Sequence, residues 1–308
     1  MKWQVLWQHV VDAAHEAAQA PPSNFSALSA LAGSLRILAA VIVICWLASV
    51  VTRNYSHVDR IWSIIPFVYV WHFAIKAWTQ DGAWSDRLVL MTALATLWGL
   101  RLTFNFWRKG GYSLSEEDYR WAVLRQHMHW VLYQIFNVIF IAAYQNVLLY
   151  LIAFPAYAAY LNRSVPLQPL DWVAAALFVF FLVLETVADQ QQWVFYQNKY
   201  ARLRAKQPLE GDAKAGFNRS GLFRYSRHPN FFAEQLIWCS FYLFSVAATG
   251  VLINGFGLGA ALLVLLFQGS TEFTEYITAR KYPEYKAYQK AVSRLVPWFP
   301  SSVKAHEE

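Results

Sequence analysis

The chain has 308 residues, of which 57% are hydrophobic, 18% aromatic and only 15% charged, with a formal net charge of +7. Charge this sparse excludes an ordinary soluble domain, where about a quarter of residues are charged, and points to a polytopic membrane protein. The excess cations fall between apolar runs, which favours lipid headgroups or a phosphorylated ligand as partners and argues against nucleic acid. Two cysteines, Cys45 and Cys239, both inside apolar runs, make no disulfide framework and default to packing.

In chain order, Trp3, Leu6, Trp7, Val10, Val11, Ala14 and Ala18 recur at helical spacing and predict an amphipathic surface helix in an N-terminal segment, residues 1–34. A single polytopic domain, residues 35–308, follows. Its first span covers residues 35–51. The second, residues 61–78, is entered through Val58-Asp59-Arg60-Ile61-Trp62-Ser63. Asp59 reads equally as a helix cap or as a functional carboxylate at the interface. The third span, residues 88–107, carries Arg101, Asn105 and Arg108 at i, i+4 and i+7; two guanidiniums and an amide on one face predict an anion cradle.

Residues 130–161 form an apolar run longer than the ~20 residues of one crossing. It contains Pro155, so a long or broken helix is the simplest account, with two short crossings left open. The fifth span, from residue 170 to 193, ends with Glu185 and Asp189 on one face, placed to order the arginines of the next loop or to hydrogen-bond a ribose and an amide. A basic polar stretch, residues 199–214, precedes the sixth span (residues 231–248). A turn at Gly250 leads to the seventh, ending near residue 267. The tyrosines after residue 274, including Tyr282 and Tyr285, predict an interfacial C-terminal segment or a wall against a nucleotide. With seven spans, 20 of the 26 Lys and Arg residues fall on one side and 5 on the other, which places the basic loops and the C-terminus in the cytosol.

One stretch concentrates the chemistry. Arg224, Tyr225, Arg227 and His228 stand immediately before Pro229, where a helix is expected to begin. Free N–H groups at that start, flanked by arginines, suit a phosphate. Asn230 and Glu234 then share one helical face inside the membrane.

The run from Gly221 to Glu234, with its Arg227-His228-Pro229 core and the following Glu234, resembles the signature of the steroid 5α-reductase superfamily. Its relatives include the sterol C14 and C7 reductases and the isoprenylcysteine carboxyl methyltransferases. Three further regions are similar to an uncharacterised branch of that superfamily: residues 58–63, residues 97–102, and Tyr285-Lys286-Ala287-Tyr288 leading to Val296-Pro297-Trp298. The resemblance implies an all-α integral membrane fold of about seven helices, NADPH bound from the cytosolic side, and a pocket for a lipophilic substrate. The expected cofactor-binding set is Arg101, Asn105, Arg108, Asp189, Arg224, Tyr225, Arg227, His228, Asn230, Glu234, Tyr282 and Tyr285, with Asp59 and Glu234 catalytic and no metal. One feature departs from the pattern: the third span has no tyrosine, and Trp98 stands where a ketone-polarising tyrosine is expected.

The expected function is therefore NAD(P)H-dependent reduction of a conjugated carbon–carbon double bond in a steroid-like or other lipidic substrate, in a bacterial inner membrane or the endoplasmic reticulum. An S-adenosylmethionine-dependent methyltransferase of a lipid or prenylated thiol is the alternative, because it shares the Arg-His-Pro core. A non-enzymatic protein whose basic face binds anionic lipid is a third reading.

Overall fold

A computed structural model describes residues 22–301. The amphipathic helix expected over residues 3–18 lies outside the described residues. Helix α1 (Pro22–Thr52) runs without a break through residues 34 and 35. A one-turn helix, α2 (His57–Ile61), and a turn precede α3 (Ile65–Asp81), which takes the place of the second expected span. Pro66 sits in the first turn of α3, where its missing N–H has no helical acceptor to lose. Helix α4 (Asp86–Arg108) matches the third expected span. A polar loop and α5 (Tyr119–His127), N-capped by Asp118, lead to α6 (Trp130–Ala153).

The long fourth apolar run is broken at Pro155, where α6 gives way to α7 (Pro155–Leu161). Helix α8 (Pro169–Arg204) has 36 residues and continues well past the expected end near residue 193. The basic stretch is thus partly helical, and Arg202 and Arg204 in its last turn complement the negative end of the helix dipole. A short helix, α9 (Gly211–Ala215), precedes α10 (Pro229–Thr249), which begins at Pro229 as the sequence predicts. Helix α11 (Leu258–Lys281) also outruns its expected end near residue 267, and α12 (Tyr285–Ala291) follows.

All regular structure among the described residues is helical, and six helices are long and apolar enough to cross a membrane: the protein is a multi-pass membrane protein. About seven spanning helices were expected; α3, the seventh, has 17 residues and reaches about 25 Å against a ~30 Å hydrocarbon core, and it carries the chain from the end of the bundle where Arg60 meets the loop after α4 to the end where Asp81 pairs with Arg163.

Helices α4 and α8 run in the same direction. Their side-chain pairs Arg87–Asp171, Arg101–Glu185 and Asn105–Asp189 keep one constant sequence offset of 84. The chain between them must therefore return once, so α6 and α7 together make a single crossing rather than two. Helix α10 comes back antiparallel along α8 in the most extensive helix contact of the fold. Helix α11 meets α6 backbone to backbone at Gly259, where a Cβ would lie 2.2 Å from the Leu151 carbonyl carbon. Only glycine permits that approach.

A second, smaller core lies apart from the main one. Ala215, Phe217, Tyr285, Tyr288 and Val292 pack together, with Tyr282 against them. Of the tyrosines expected at an interface or against a nucleotide, Tyr285 and Tyr288 are buried in this core.

Candidate functional site

The sequence-predicted residues fall into two separate clusters. The first is built where α4, α8 and α10 converge. Arg101 donates from Nη1 to Asp189 Oδ2 at 2.8 Å and from Nη2 to Glu185. Asn105 Nδ2 donates to the same Asp189 oxygen at 2.7 Å, and Asn230 Nδ2 reaches Asp189 Oδ1 at 3.3 Å. Arg108 donates to Asn105 Oδ1 at 2.7 and 3.0 Å and to Gln190 Oε1 at 2.7 Å. Its guanidinium also lies over the Trp193 ring, 5.0 Å from the centroid.

The anion cradle expected on α4 is thus real in geometry but corrected in occupant: it holds the chain's own Asp189 and Glu185. Those carboxylates were expected to order the loop arginines or to hydrogen-bond a ribose and an amide; their cationic partners among the described residues are Arg101 and Lys109. The reason is desolvation, because a carboxylate inside the bundle is tolerable only when a cation and hydrogen-bond donors replace its water.

Glu234, one turn inside α10, joins this cluster. Its Oε2 accepts from Trp98 Nε1–H at 2.8 Å and its Oε1 from Trp238 Nε1–H at 3.1 Å. The two indoles stand edge to face, 4.8 Å between centroids. Trp98, the residue that departs from the reductase pattern, therefore positions Glu234. Three carboxylates act on the single Arg101 guanidinium, with Lys109 Nζ 3.7 Å from Asp189. Arg101 Nε and Gln192 Oε1 are buried with no hydrogen-bond partner. Orphaned polar atoms at such depth are costly, and they leave this cluster able to accept a polar ligand.

The second cluster gathers Arg227, His228 and Tyr285 on Glu275 of α11, a residue that sequence reasoning missed. Arg227 forms a bidentate pair with Glu275 at 2.6 and 3.0 Å, and its Nη1 donates to the backbone carbonyls of Gln289 and Val292. His228 Nε2 is 2.9 Å from Glu275 Oε1, and Tyr285 Oη is 3.4 Å from the same atom. The N–H groups of Arg227 and His228 donate to the carbonyls of Ser293 and Arg294. Arg227 thus spends nearly all its donors inside the protein, tying the segment before α10 to the segment after α12. These residues are not brought to the first cluster.

Tyr282 lies elsewhere again. Its ring covers Gly216, whose φ of +96° and lack of Cβ make room for it, and its hydroxyl is 3.2 Å from the buried Lys199 ammonium. Partial burial works against ionisation of Tyr282, but the hydrogen bond and charge of Lys199 outweigh it and bring its pKa below the usual tyrosine value. Arg224 and Tyr225 are exposed, and the Arg224 guanidinium has no partner among the described residues.

Asp59 stands in the wall of a cavity of about 710 Å³. The lining is largely apolar, with Trp62, Phe136, Phe140, Phe231 and Phe267 among its residues, and Asp59, Asp118 and Arg120 form a polar margin. Leu102 and Phe106, each one residue after Arg101 and Asn105 on α4, also line it, so the cavity and the first cluster meet along α4, although no side chain of the cluster is in the lining. Asp59 Oδ2 accepts from Trp121 Nε1–H at 3.1 Å. Arg120 is held by Asp118 at 2.8 and 2.9 Å and by Ser270 Oγ at 2.9 Å. Burial pushes the Asp59 carboxyl above the usual carboxylate range, against the opposing charge of Arg120.

A multi-pass helical membrane protein with an apolar cavity beside a buried polar cluster is the class that fold and site define. The family described as "Protein of unknown function (DUF1295)" matches residues 45–292, and the chain belongs to that family. It is also 45% identical over 262 residues to the uncharacterized protein C594.04c of Schizosaccharomyces pombe, covering 82% of this chain and 76% of the relative. No solved structure matches.

Proposed function

We propose that the protein is an NADPH-dependent reductase of a conjugated carbon–carbon double bond in a lipophilic substrate. The observation that carries this reading is the adjacency of the apolar cavity, with Asp59 in its wall, to the Arg101–Asp189–Glu234 cluster. A cavity of about 710 Å³ suits a ligand of lipid or polycyclic size. The resemblance of residues 221–234 to the steroid 5α-reductase superfamily supplies the reaction class.

The residues fit a dinucleotide in part. Arg224, Arg108 and Lys109 are solvent-accessible cations suited to phosphates. Asn105, Asn230 and the unpaired Arg101 Nε and Gln192 Oε1 suit a carboxamide or ribose. Arg101 itself is committed to Glu185 and Asp189, and Arg227 to Glu275, so both serve by positioning rather than by direct phosphate contact. A nicotinamide held there would supply the hydride for the β-carbon of the double bond.

The chain's own part is to hold the substrate dry and to supply a proton. Asp59, raised by burial and held by Trp121, is suited to give a proton to the α-carbon or the conjugated carbonyl. The Lys and Arg asymmetry orients the basic loops toward the cytosol, where the cofactor is supplied.

The test is direct binding of NADPH, NADP+, NADH and S-adenosylmethionine to detergent-purified protein, beside the Glu234→Gln variant. NADPH is expected to bind, with affinity reduced about tenfold or more in the variant, since a hydrogen bond to a charged group is at stake. Binding of S-adenosylmethionine alone supports a methyltransferase instead, and binding of none of the four sinks the reading.

A further inference from the structure

A second cavity, of about 670 Å³, opens at the other edge of the loop that follows α4, and the proposed reaction has no use for it. Val50 and Arg53 at the end of α1, Tyr55, Arg125 of α5, and Trp130 and Gln134 at the start of α6 line it. Arg53 is exposed and its guanidinium has no partner among the described residues. It adopts φ +54°, a left-handed conformation that side-chain-bearing residues take only at a cost. A helix end of this shape is ordinarily closed by glycine or asparagine. An arginine kept there instead projects a charge from the end of a membrane helix.

Arg125, by contrast, is held in place. It pairs with Glu117 at 2.9 and 3.3 Å and lies over the Tyr55 ring, 5.5 Å from the centroid. Tyr55 Oη accepts from Gln134 at 3.0 Å and keeps its own proton to donate. The two arginines against Glu117 leave a net charge of about +1, the complement of one phosphodiester.

From this structure we infer that the cleft binds the headgroup of an anionic phospholipid. Its walls favour an amphiphile over free phosphate. Val50 and the 70%-exposed Trp130 flank the cations, and exposed Leu47 on α1 and Ile135 and Ile139 on α6 continue away from the cleft along the helices, where acyl chains would lie. Trp130 at this level matches the indoles that mark membrane–water interfaces. The site is separate from the cavity that carries Asp59, so it does not depend on the proposed reaction.

The experiment is native mass spectrometry and thermal unfolding of the detergent-purified full chain, titrated with phosphatidylglycerol and, separately, with phosphatidylcholine of the same acyl chains. Phosphatidylglycerol is expected to bind and raise the melting temperature, and phosphatidylcholine to do so far less. Arg53→Gln and Arg125→Gln should each weaken phosphatidylglycerol about fivefold. Arg204→Gln, which removes an equal charge from an exposed position outside the cleft, should leave affinity unchanged. Arg53→Lys should recover most of it, which guards against a folding artefact. Equal losses in Arg204→Gln and Arg53→Gln would overturn the site, as would unaltered binding in both cleft variants. Competition by millimolar inorganic phosphate as effective as that by lipid would overturn the lipid as its occupant.

Discussion

Helices α4 and α8 are joined twice by arginine and carboxylate, and the two joints differ in kind. At one end Arg87 meets Asp171 with Nε–Oδ1 and Nη2–Oδ2 both at 2.8 Å, and gives its remaining reach to the carbonyls of Val165 and Pro166. Asp171 also accepts from the Gln168 N–H, closing a capping box at the start of α8. Both side chains are essentially inaccessible, and neither has an unsatisfied atom. Eighteen residues further along α8, Arg101 faces Asp189, Glu185 and Glu234, leaves its Nε unpaired, and is followed on α4 by Leu102, which lines the cavity. The first joint is complete; the second has spare hydrogen-bonding capacity. A closed ion pair holds two helices, whereas an open one beside a cavity is a place for chemistry.

Breaking the closed joint should have the largest effect. Arg87→Met leaves Asp171 buried without its cation and is expected to destabilise the protein by about 3–5 kcal/mol. Arg87→Met with Asp171→Leu removes both charges and should recover most of that loss, as read by melting temperature in detergent. The open joint should be more forgiving. Arg101→Met is expected to cost about 2–3 kcal/mol, because Asn105 still donates to Asp189 and both indoles still donate to Glu234. If Arg101→Met proves as damaging as Arg87→Met, the contrast between the joints fails.

Trp98→Phe comes next. It keeps most of the buried ring and removes one of the two indole donors on Glu234, so about 1–2 kcal/mol of stability should be lost. The proposed cofactor affinity should fall further than stability does, since Glu234 would be free to turn.

Much of this was legible beforehand in face geometry and little of it in partnership. The spacing of Arg101, Asn105 and Arg108, of Glu185 and Asp189, and of Asn230 and Glu234 sets each group on one helical face whatever the fold. What spacing leaves open is which faces meet. The cradle on α4 is filled from α8, at an offset of 84 residues that no local pattern announces. Glu275 was invisible for the same reason: one carboxylate in the polar half of α11 looks like a solvated helix end until Arg227 and His228 are folded onto it. The ends of α8 and α11 were underestimated because the apolar run stops where the membrane stops. A helix continues as long as its backbone hydrogen bonds do, and beyond the membrane these two have their own partners in Lys199 and Glu275.

The smallest effect is read as a slope. Asp59 lies in α2, outside the spans, and retains surface facing the cavity while burial raises its pKa above the unfolded value. An acid with a raised folded pKa binds more protons folded than unfolded, so its contribution to stability falls as pH rises from the ordinary aspartate value through the folded one. Asp59→Asn removes that dependence. Melting temperatures measured across pH should show the variant more stable than the parent at neutral pH, with the gap closing as pH falls toward 4 and the parent carboxyl becomes protonated in both states. A gap that widens on acidification would mean that Asp59 is held as a carboxylate by Arg120, and would remove it as a proton donor. The open joint would then border a cavity with no acid in its wall.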